Sequence, residues 1–296
     1  METPPVCNYE GSDYQTSFWE QGGRAYEDAC EVIALKRLLP PAGKHLLELG
    51  AGAGRNTPRY AGYEKITLVD YSRTQLEQAH QRLGDSERYR FVAADIYRLP
   101  FAPATFDGAT MIRTLHHMKD ARAALVQVFD TLEPGAVFIL EFANKKNIKA
   151  ILRYAFKRQT WNPNSPEPVE FAALNFDFHP GTVRAWLNQA GFAIERQLTV
   201  SHFRSGFFKK VFPLKFLTTL DSILQPTGNL WQLSPSVFVR ASVHIQPAAH
   251  IAGAFFRCPA CGHTPLPDTP PVLTCPACKR KYPVKDGIYD LRVDPS

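Results

Sequence analysis

The stretch that decides the fold is HLLELGAGAGRN, His45–Asn56: an apolar run, an acid, then glycines at 50, 52 and 54. Glycine tolerates positive φ and puts no side chain between backbone and ligand, so this loop is expected to press against something bound. A dinucleotide cradle would want G-x-G-x-x-G, whereas here the third glycine comes one residue early, which weakens a phosphate-binding reading. The next apolar run, ITLVD, ends in Asp70, twenty residues after Gly50. In an open parallel sheet the ligand lies beyond the carboxyl ends of the strands at the switch point, and a carboxylate there can accept both hydroxyls of a ribose.

Working outward, strand-like and helix-like segments alternate. HLLEL, ITLVD, YRFVAAD, FDGATMI, AVFILEF, FAIERQLTV and SVFVRASVHI read as strands. Helices are expected over residues 20–39, ended by Pro40-Pro41, through Arg59, over Arg73–Leu83 and Ala121–Leu132, and over GTVRAWLNQAG. Such alternation predicts an α/β, Rossmann-like, seven-stranded sheet with helices on both faces. Two long excursions, about 143–179 and 203–231, are candidate lids. QPAAHIAGA marks a boundary between a large unit, 1–245, and a small one, 255–296.

Composition bounds the function. With 296 residues, 45% hydrophobic and 21% charged, the chain reads as a soluble globular protein, and it lacks the run of roughly 18 apolar residues that a transmembrane segment needs. METPPVCNYEGSDY has no basic start followed by an apolar core, so a cytoplasmic location is the default expectation. The net charge of +6 is compatible with an anionic partner but is common in plain enzymes. Four of the six cysteines fall in two CPAC units, while Cys7 and Cys30 stand apart, a pattern of metal ligation rather than of a disulfide framework.

ELGAGAG, VDYS, AADIYRLPF, FDGATMIRTLHHM and LEPGAVFILEF, taken in order over roughly 45–142, resemble the motifs of the class I S-adenosylmethionine-dependent methyltransferases, in particular the branch with quinone-biosynthesis enzymes. The resemblance implies that Glu48, Gly50, Gly52 and Gly54 surround the methionine portion of S-adenosylmethionine. It implies that Asp70, with Tyr71 beside it, holds the ribose, that Asp95 accepts from the adenine amino group, and that Ile96 supplies a backbone amide. These residue types suit a ligand with a neutral base, a ribose and a zwitterionic tail without phosphate.

Methyl transfer from a sulfonium is an in-line displacement, so the chain must align the acceptor and exclude water, with a general base optional. Arg113, His116 and His117 follow the fourth strand, which the resemblance marks as the active-site edge and the catalytic candidates. A histidine there is either a base or a structural contact, and Arg113 either binds an anionic acceptor, alongside the cofactor, or pairs with an acid. Tyr14, Phe18 and Trp19 resemble an N-terminal lid, or else staple the first helix. Lys145, Lys149, Arg153 and Lys157 recur every fourth residue, which puts four cations on one helical face: a solvated face, or one that meets lipid headgroups or nucleic acid. HFRSGFFKKVFPLKF mixes phenylalanines with cations as an interfacial or lid segment would, and Asn175, Asp177 and His179 are candidates to line the acceptor site.

The cysteine knuckles Cys258/Cys261 and Cys275/Cys278 supply four thiolates, the set of a closed structural zinc site that would stabilise a module too small to fold on its core alone. CPACKRKYPVKDGIYDL resembles the small zinc-ribbon activator that partners several tRNA, ribosomal RNA and release-factor methyltransferases. The combined expectation is methyl transfer to a small-molecule or lipid-like acceptor, with peripheral membrane contact. RNA or protein is the alternative acceptor, and a non-catalytic S-adenosylmethionine-binding protein the second alternative. RTLHH stands where base amino-group methylases carry an N/D-P-P-Y/F motif.

Overall fold

The computed structural model describes residues 4–12, 17, 19, 21–244 and 251–293. In chain order the elements are α1 (Ala25–Leu38), β1 (Gly43–Leu49), β2 (Tyr63–Asp70), α2 (Arg73–Leu83), β3 (Tyr89–Ala93), β4 (Phe106–Met111), α3 (Ala121–Thr131), β5 (Leu132–Ala143) and α4 (Ile148–Ala155). They continue with β6 (Val169–Ala172), β7 (Asn175–Asp177), α5 (Pro180–Ala190), β8 (Phe192–Val200), α6 (Gly206–Val211), α7 (Leu214–Leu224), β9 (Ser236–Val243), β10 (Val272–Thr274), β11 (Lys281–Lys285) and β12 (Ile288–Asp290).

The seven expected strands form one sheet in the order β3-β2-β1-β4-β5-β9-β8, with β9 antiparallel to both neighbours and the first five strands parallel. β1 lies between β2 and β4, so the chain reverses direction of winding there and opens a crevice at the carboxyl ends of β1 and β4. Both faces of the sheet are covered, which is why β1 reads as a continuous apolar run. Leu46 packs on one face with Tyr26, Leu35 and Leu38 of α1 and Leu76 of α2. Leu47 packs on the other with Leu125 and Val128 of α3 and Leu187 of α5.

Local sequence sets the ends of the helices. In α1, Glu27 and Asp28 lie in the first turn and Lys36 and Arg37 in the last, matching the helix dipole before the two prolines stop it. Ser72, Asp120 and Asn147 accept amide hydrogens at the starts of α2, α3 and α4. Through Arg59 there is a single 3-10 turn, Thr57–Tyr60, rather than the expected helix, because the loop spends its length wrapping the end of β1.

The tail extends this sheet. β12 pairs in parallel with β3, Ile288 opposite Phe91, and β11 and β10 follow antiparallel, giving ten strands. Phe256, Leu273 and Tyr282 join the same core as Leu47 and Val92. Among the described residues no helix is long and apolar enough to cross a membrane.

Candidate functional site

A cleft of about 1040 Å³ opens beyond the ends of β1, β2 and β4, and the glycine loop forms its floor. All three glycines have positive φ, but for different reasons. A Cβ on Gly50 would stand 2.1 Å from Thr114 Oγ1, and one on Gly54 3.3 Å from Ala79 Cβ of α2, so these two serve packing between protein segments. At Gly52 the nearest atom, Gln75 Oε1, is 3.8 Å away and the space is open to the cleft, as a cradle for a bound group requires.

Asp70 is fixed from two sides. The Gly52 amide donates to its Oδ2 and the Ser72 amide to its Oδ1, both at 2.9 Å, leaving each oxygen with capacity for one hydroxyl. Burial raises its pKa and these amides oppose the rise. Glu48 is buried and accepts from Thr57 Oγ1 at 2.7 Å; burial pushes its carboxyl up to about 8, which an incoming ammonium would reverse. Tyr71 and Ile96 lie on the wall. Asp95, between Ala94 and Ile96 of that wall, uses Oδ1 to accept the Tyr97 amide at 2.9 Å and so caps a short turn.

Arg113 is tied to acid. Its Nε donates to Glu31 Oε1 at 2.6 Å, its amide donates to Glu141 Oε2 at 3.0 Å, and the residue itself sits at φ 59°. Glu31 is fully buried yet held below the usual carboxylate range: burial opposes ionisation, but the guanidinium groups of Arg113 and Arg55 outweigh it. Arg55 also bonds Asp28 and lies 3.5 Å under the ring of Trp19, which covers the cleft at this point. Tyr14 and Phe18, the other expected lid residues, lie outside the described residues.

His117 lines the cleft, and its ring centroid is 4.0 Å from that of His116. Burial lowers the pKa of both rings, and His116 is lowered further by His117, Arg113 and Arg204. His117 Nδ1 lies 3.2 Å from the Leu174 carbonyl, which can only accept, so the neutral ring carries its proton there and presents Nε2 to the Tyr9 hydroxyl, 3.2 Å away. Sequence reading missed Tyr9, Cys7 and Val6 as cleft wall. They are carried there by Glu10, whose carboxylate accepts the Arg73 and Thr74 amides at the start of α2. No motif signals such a contact; an acid ahead of a capped helix is the only hint.

Other expectations divide. Lys145 is not part of a cation stripe: it precedes α4, is buried, and its Nζ donates to the Glu167 carbonyl at 2.5 Å. Lys157 lies past the helix end at φ 55°, so only Lys149 and Arg153 share the helix. His179 caps α5 through Nδ1, whereas Asn175 and Asp177 lie in the β6–β7 hairpin that packs beside His117.

Comparison with known proteins fits this geometry. Residues 47–140, from β1 to β5, match the methyltransferase domain family. An O-methyltransferase of Penicillium expansum is 33% identical over 44% of this chain and 51% of its own length. The demethylmenaquinone methyltransferase of Clavibacter sepedonicus is 27% identical over 53% of this chain and 65% of its own length. A chain from the complex between the Haloferax volcanii Trm112 methyltransferase activator and a putative methyltransferase superposes with a TM-score of 0.55 at 13% identity, over 78% of this chain and 96% of that one. A putative S-adenosylmethionine-dependent methyltransferase from Listeria monocytogenes gives 0.52 at 18% identity, over 76% of this chain and all (100%) of that one. The fold is that of the class I S-adenosylmethionine-dependent methyltransferases. The chain spans about half the length of the curated relatives it matches.

Onto this methyltransferase fold the tail adds its four cysteines. Their sulfurs all lie within 4.8 Å of one another, with Cys258–Cys278 at 3.7 Å and Cys261–Cys275 at 3.6 Å. Thiolates about 2.3 Å from one tetrahedral ion would be about 3.8 Å apart, so the set fits a single metal ion. Cys258 and Cys275 are buried in the core shared with the methyltransferase sheet, and Arg292, just past β12, donates to the Tyr71 carbonyl at 3.2 Å.

Proposed function

We propose that the protein is an S-adenosylmethionine-dependent methyltransferase that acts on a small-molecule or lipid-like acceptor. The cofactor supplies an electrophilic methyl group on a sulfonium. Asp70 accepts the ribose hydroxyls, Gly52 lets the backbone approach the ligand, Asp95 and Ile96 meet the adenine, and ionised Glu48 holds the ammonium of the methionine portion. Trp19 and Tyr9 exclude water from above. Arg113 is a positioning residue: locked to Glu31 and Glu141, it fixes the active-site edge after β4. His117, neutral at pH 7, is the group able to take a proton from an acceptor hydroxyl or acidic carbon, through Nε2 once the acceptor displaces the Tyr9 hydroxyl from it.

The observation that supports this most is the pairing of an anchored carboxylate, Asp70, with the open cradle at Gly52 across a cleft whose far wall carries His117. The four cysteines hold a structural zinc ion, which their donor set would close completely. The small-acceptor reading draws on the O-methyltransferase and demethylmenaquinone methyltransferase relatives.

The test is transfer of labelled methyl from S-adenosylmethionine to a cell extract partitioned into lipid, small-molecule, RNA and protein fractions, with Asp70→Ala as control. Asp70-dependent label in the lipid or small-molecule fraction is expected. Label confined to RNA or protein would overturn the acceptor class, and no label in any fraction would overturn the activity.

A further inference from the structure

A second depression, a groove of about 1780 Å³, lies between α4 and the segment that leads into α6. Its walls are apolar: Ile148 and Leu152 from α4, Phe156 just past its end, Phe203 and Phe208 from the other side, and Trp231 at the rim. Phe156 is 70% exposed and Trp231 57%, so the apolar surface is open to solvent. Around it stand Lys149, Arg153 and Arg158, and neither segment 143–161 nor segment 201–220 contains a single Asp or Glu.

Within this groove Arg204 stands out among the described residues. Its Nε and Nη2 are shut off from solvent and, among the described residues, have no hydrogen-bond partner. Of the acids that act on it, Glu31 is clasped by Arg55 and Arg113, Glu141 accepts from Ser236 and the Arg113 amide, and Glu27 pairs with Lys209; Asp177 acts on it through space and makes no hydrogen bond to it among the described residues. Burial and the neighbouring Arg113 lower the pKa of Arg204, but only to about 10, so the guanidinium is charged at pH 7. A buried cation with idle donors is costly unless an anion completes it. Arg204 is also the groove residue that reaches electrostatically toward the methyl-transfer edge, acting on both His116 and Asp177.

We propose that this groove is the acceptor site and that Arg204 binds the anionic head of an amphiphilic acceptor, a carboxylate or phosphate monoester, while the apolar walls take its hydrocarbon body. A planar guanidinium with two idle N–H groups suits a bidentate oxyanion, and the basic rim attracts the same charge. This rests on the methyltransferase reading only for the word acceptor; the ligand class follows from the groove.

Calorimetric titration of the full chain with decanoate, decyl phosphate and decan-1-ol tests it, alongside a separate titration with S-adenosylhomocysteine. At least one of the two acids is expected to bind tenfold or more tighter than the alcohol, and the tighter one identifies the head. In Arg204→Met, which removes no hydrogen bond seen among the described residues and so should fold, that preference is expected to vanish while S-adenosylhomocysteine binds as before. Arg204→Lys should restore part of it. Equal binding of acids and alcohol to the unmodified protein, or a preference that survives Arg204→Met, would overturn the proposal. Absence of S-adenosylhomocysteine binding in every variant would overturn the methyltransferase reading instead.

Discussion

On the β3 side of the switch point the acids at the cleft are anchored before any ligand arrives: Asp70 by two backbone amides and Glu48 by Thr57, with Asp95, between two wall residues, held by the turn it caps. That edge is further closed by β12, and Arg292 lies 3.5 Å from Glu10 of the N-terminal segment. On the β5–β8 side the insertions leave phenylalanines exposed and Arg204 with two nitrogens unpartnered among the described residues. A site for one invariant ligand can be built in full by the chain itself, whereas a site that waits for a partly apolar acceptor keeps some of its contacts unmade. Rigidity on one side and incompleteness on the other are therefore two parts of one design.

The sharpest way to break the contrast is to loosen the rigid side. Removing the proposed zinc ion, by a chelator or by Cys275→Ser, is expected to lower the melting temperature by about 10 °C or more, because Cys258 and Cys275 are fully buried in the core that β3 shares. It should also weaken S-adenosylhomocysteine binding, since Arg292 would leave Tyr71. A melting temperature unmoved by metal loss would mean that the tail is a passenger. Next, Gly50→Ala forces a Cβ into Thr114 at positive φ and should cost about 4 kcal/mol, while Gly52→Ala, unobstructed at 3.8 Å, should cost about 1 kcal/mol and act on ligand affinity instead. Equal unfolding midpoints for the two variants would contradict this division of labour. Asp70→Ala removes the proposed ribose acceptors and is expected to weaken S-adenosylhomocysteine about 100-fold without changing the content of the proposed zinc; a loss under threefold would unseat the proposed cofactor site.

Legibility in the sequence follows the same divide. The sheet was readable because strands such as FAIERQLTV, which coincides with β8, are apolar segments bounded by turn residues. The clustering of Glu48, Gly52 and Asp70 around one cleft was readable because the motifs that carry them fall at the ends of neighbouring strands. The separate roles of the three glycines were not, since only the partners in space, Thr114 for Gly50 and α2 for Gly54, tell them apart. Lys145 was misread because a period of four says nothing about where a helix starts, and Asn147 caps it two residues later. Arg204 carried no motif at all: its distinction is two guanidinium nitrogens without a hydrogen-bond partner among the described residues, which is a property of the folded neighbourhood.

A smaller effect tests how the rigid side senses charge. Glu48 titrates near 8 when folded, above the usual carboxylate value, so between those two values the folded state holds more protons than the unfolded one. Stability of the ligand-free protein should fall as pH rises through that window and level off above it, and Glu48→Gln should flatten the slope. S-adenosylhomocysteine affinity should run the other way, rising several-fold from pH 6.5 to 8, because ligand ammonium favours the ionised carboxylate. The difference between the protein and Glu48→Gln removes the ligand's own titration, and parallel curves would show that Glu48 does not meet the ammonium.

The least expected change comes from Tyr9→Phe, and it probes the boundary between the two sides. Tyr9 reaches His117 from the N-terminal segment on the cofactor side, while Leu174 reaches it from the β6–β7 hairpin on the acceptor side. Because Leu174 already fixes which nitrogen of the ring bears hydrogen, the Tyr9 hydroxyl is not needed to set the tautomer, and the edge-on contact of the two rings at 5.5 Å survives its loss. Methyl transfer should therefore change by less than about threefold, a single neutral hydrogen bond being worth about 1 kcal/mol. A fall of tenfold or more with unchanged cofactor affinity would instead make the tyrosine hydroxyl part of the proton path, and the acceptor's proton would then leave through the rigid side rather than directly to the His117 ring.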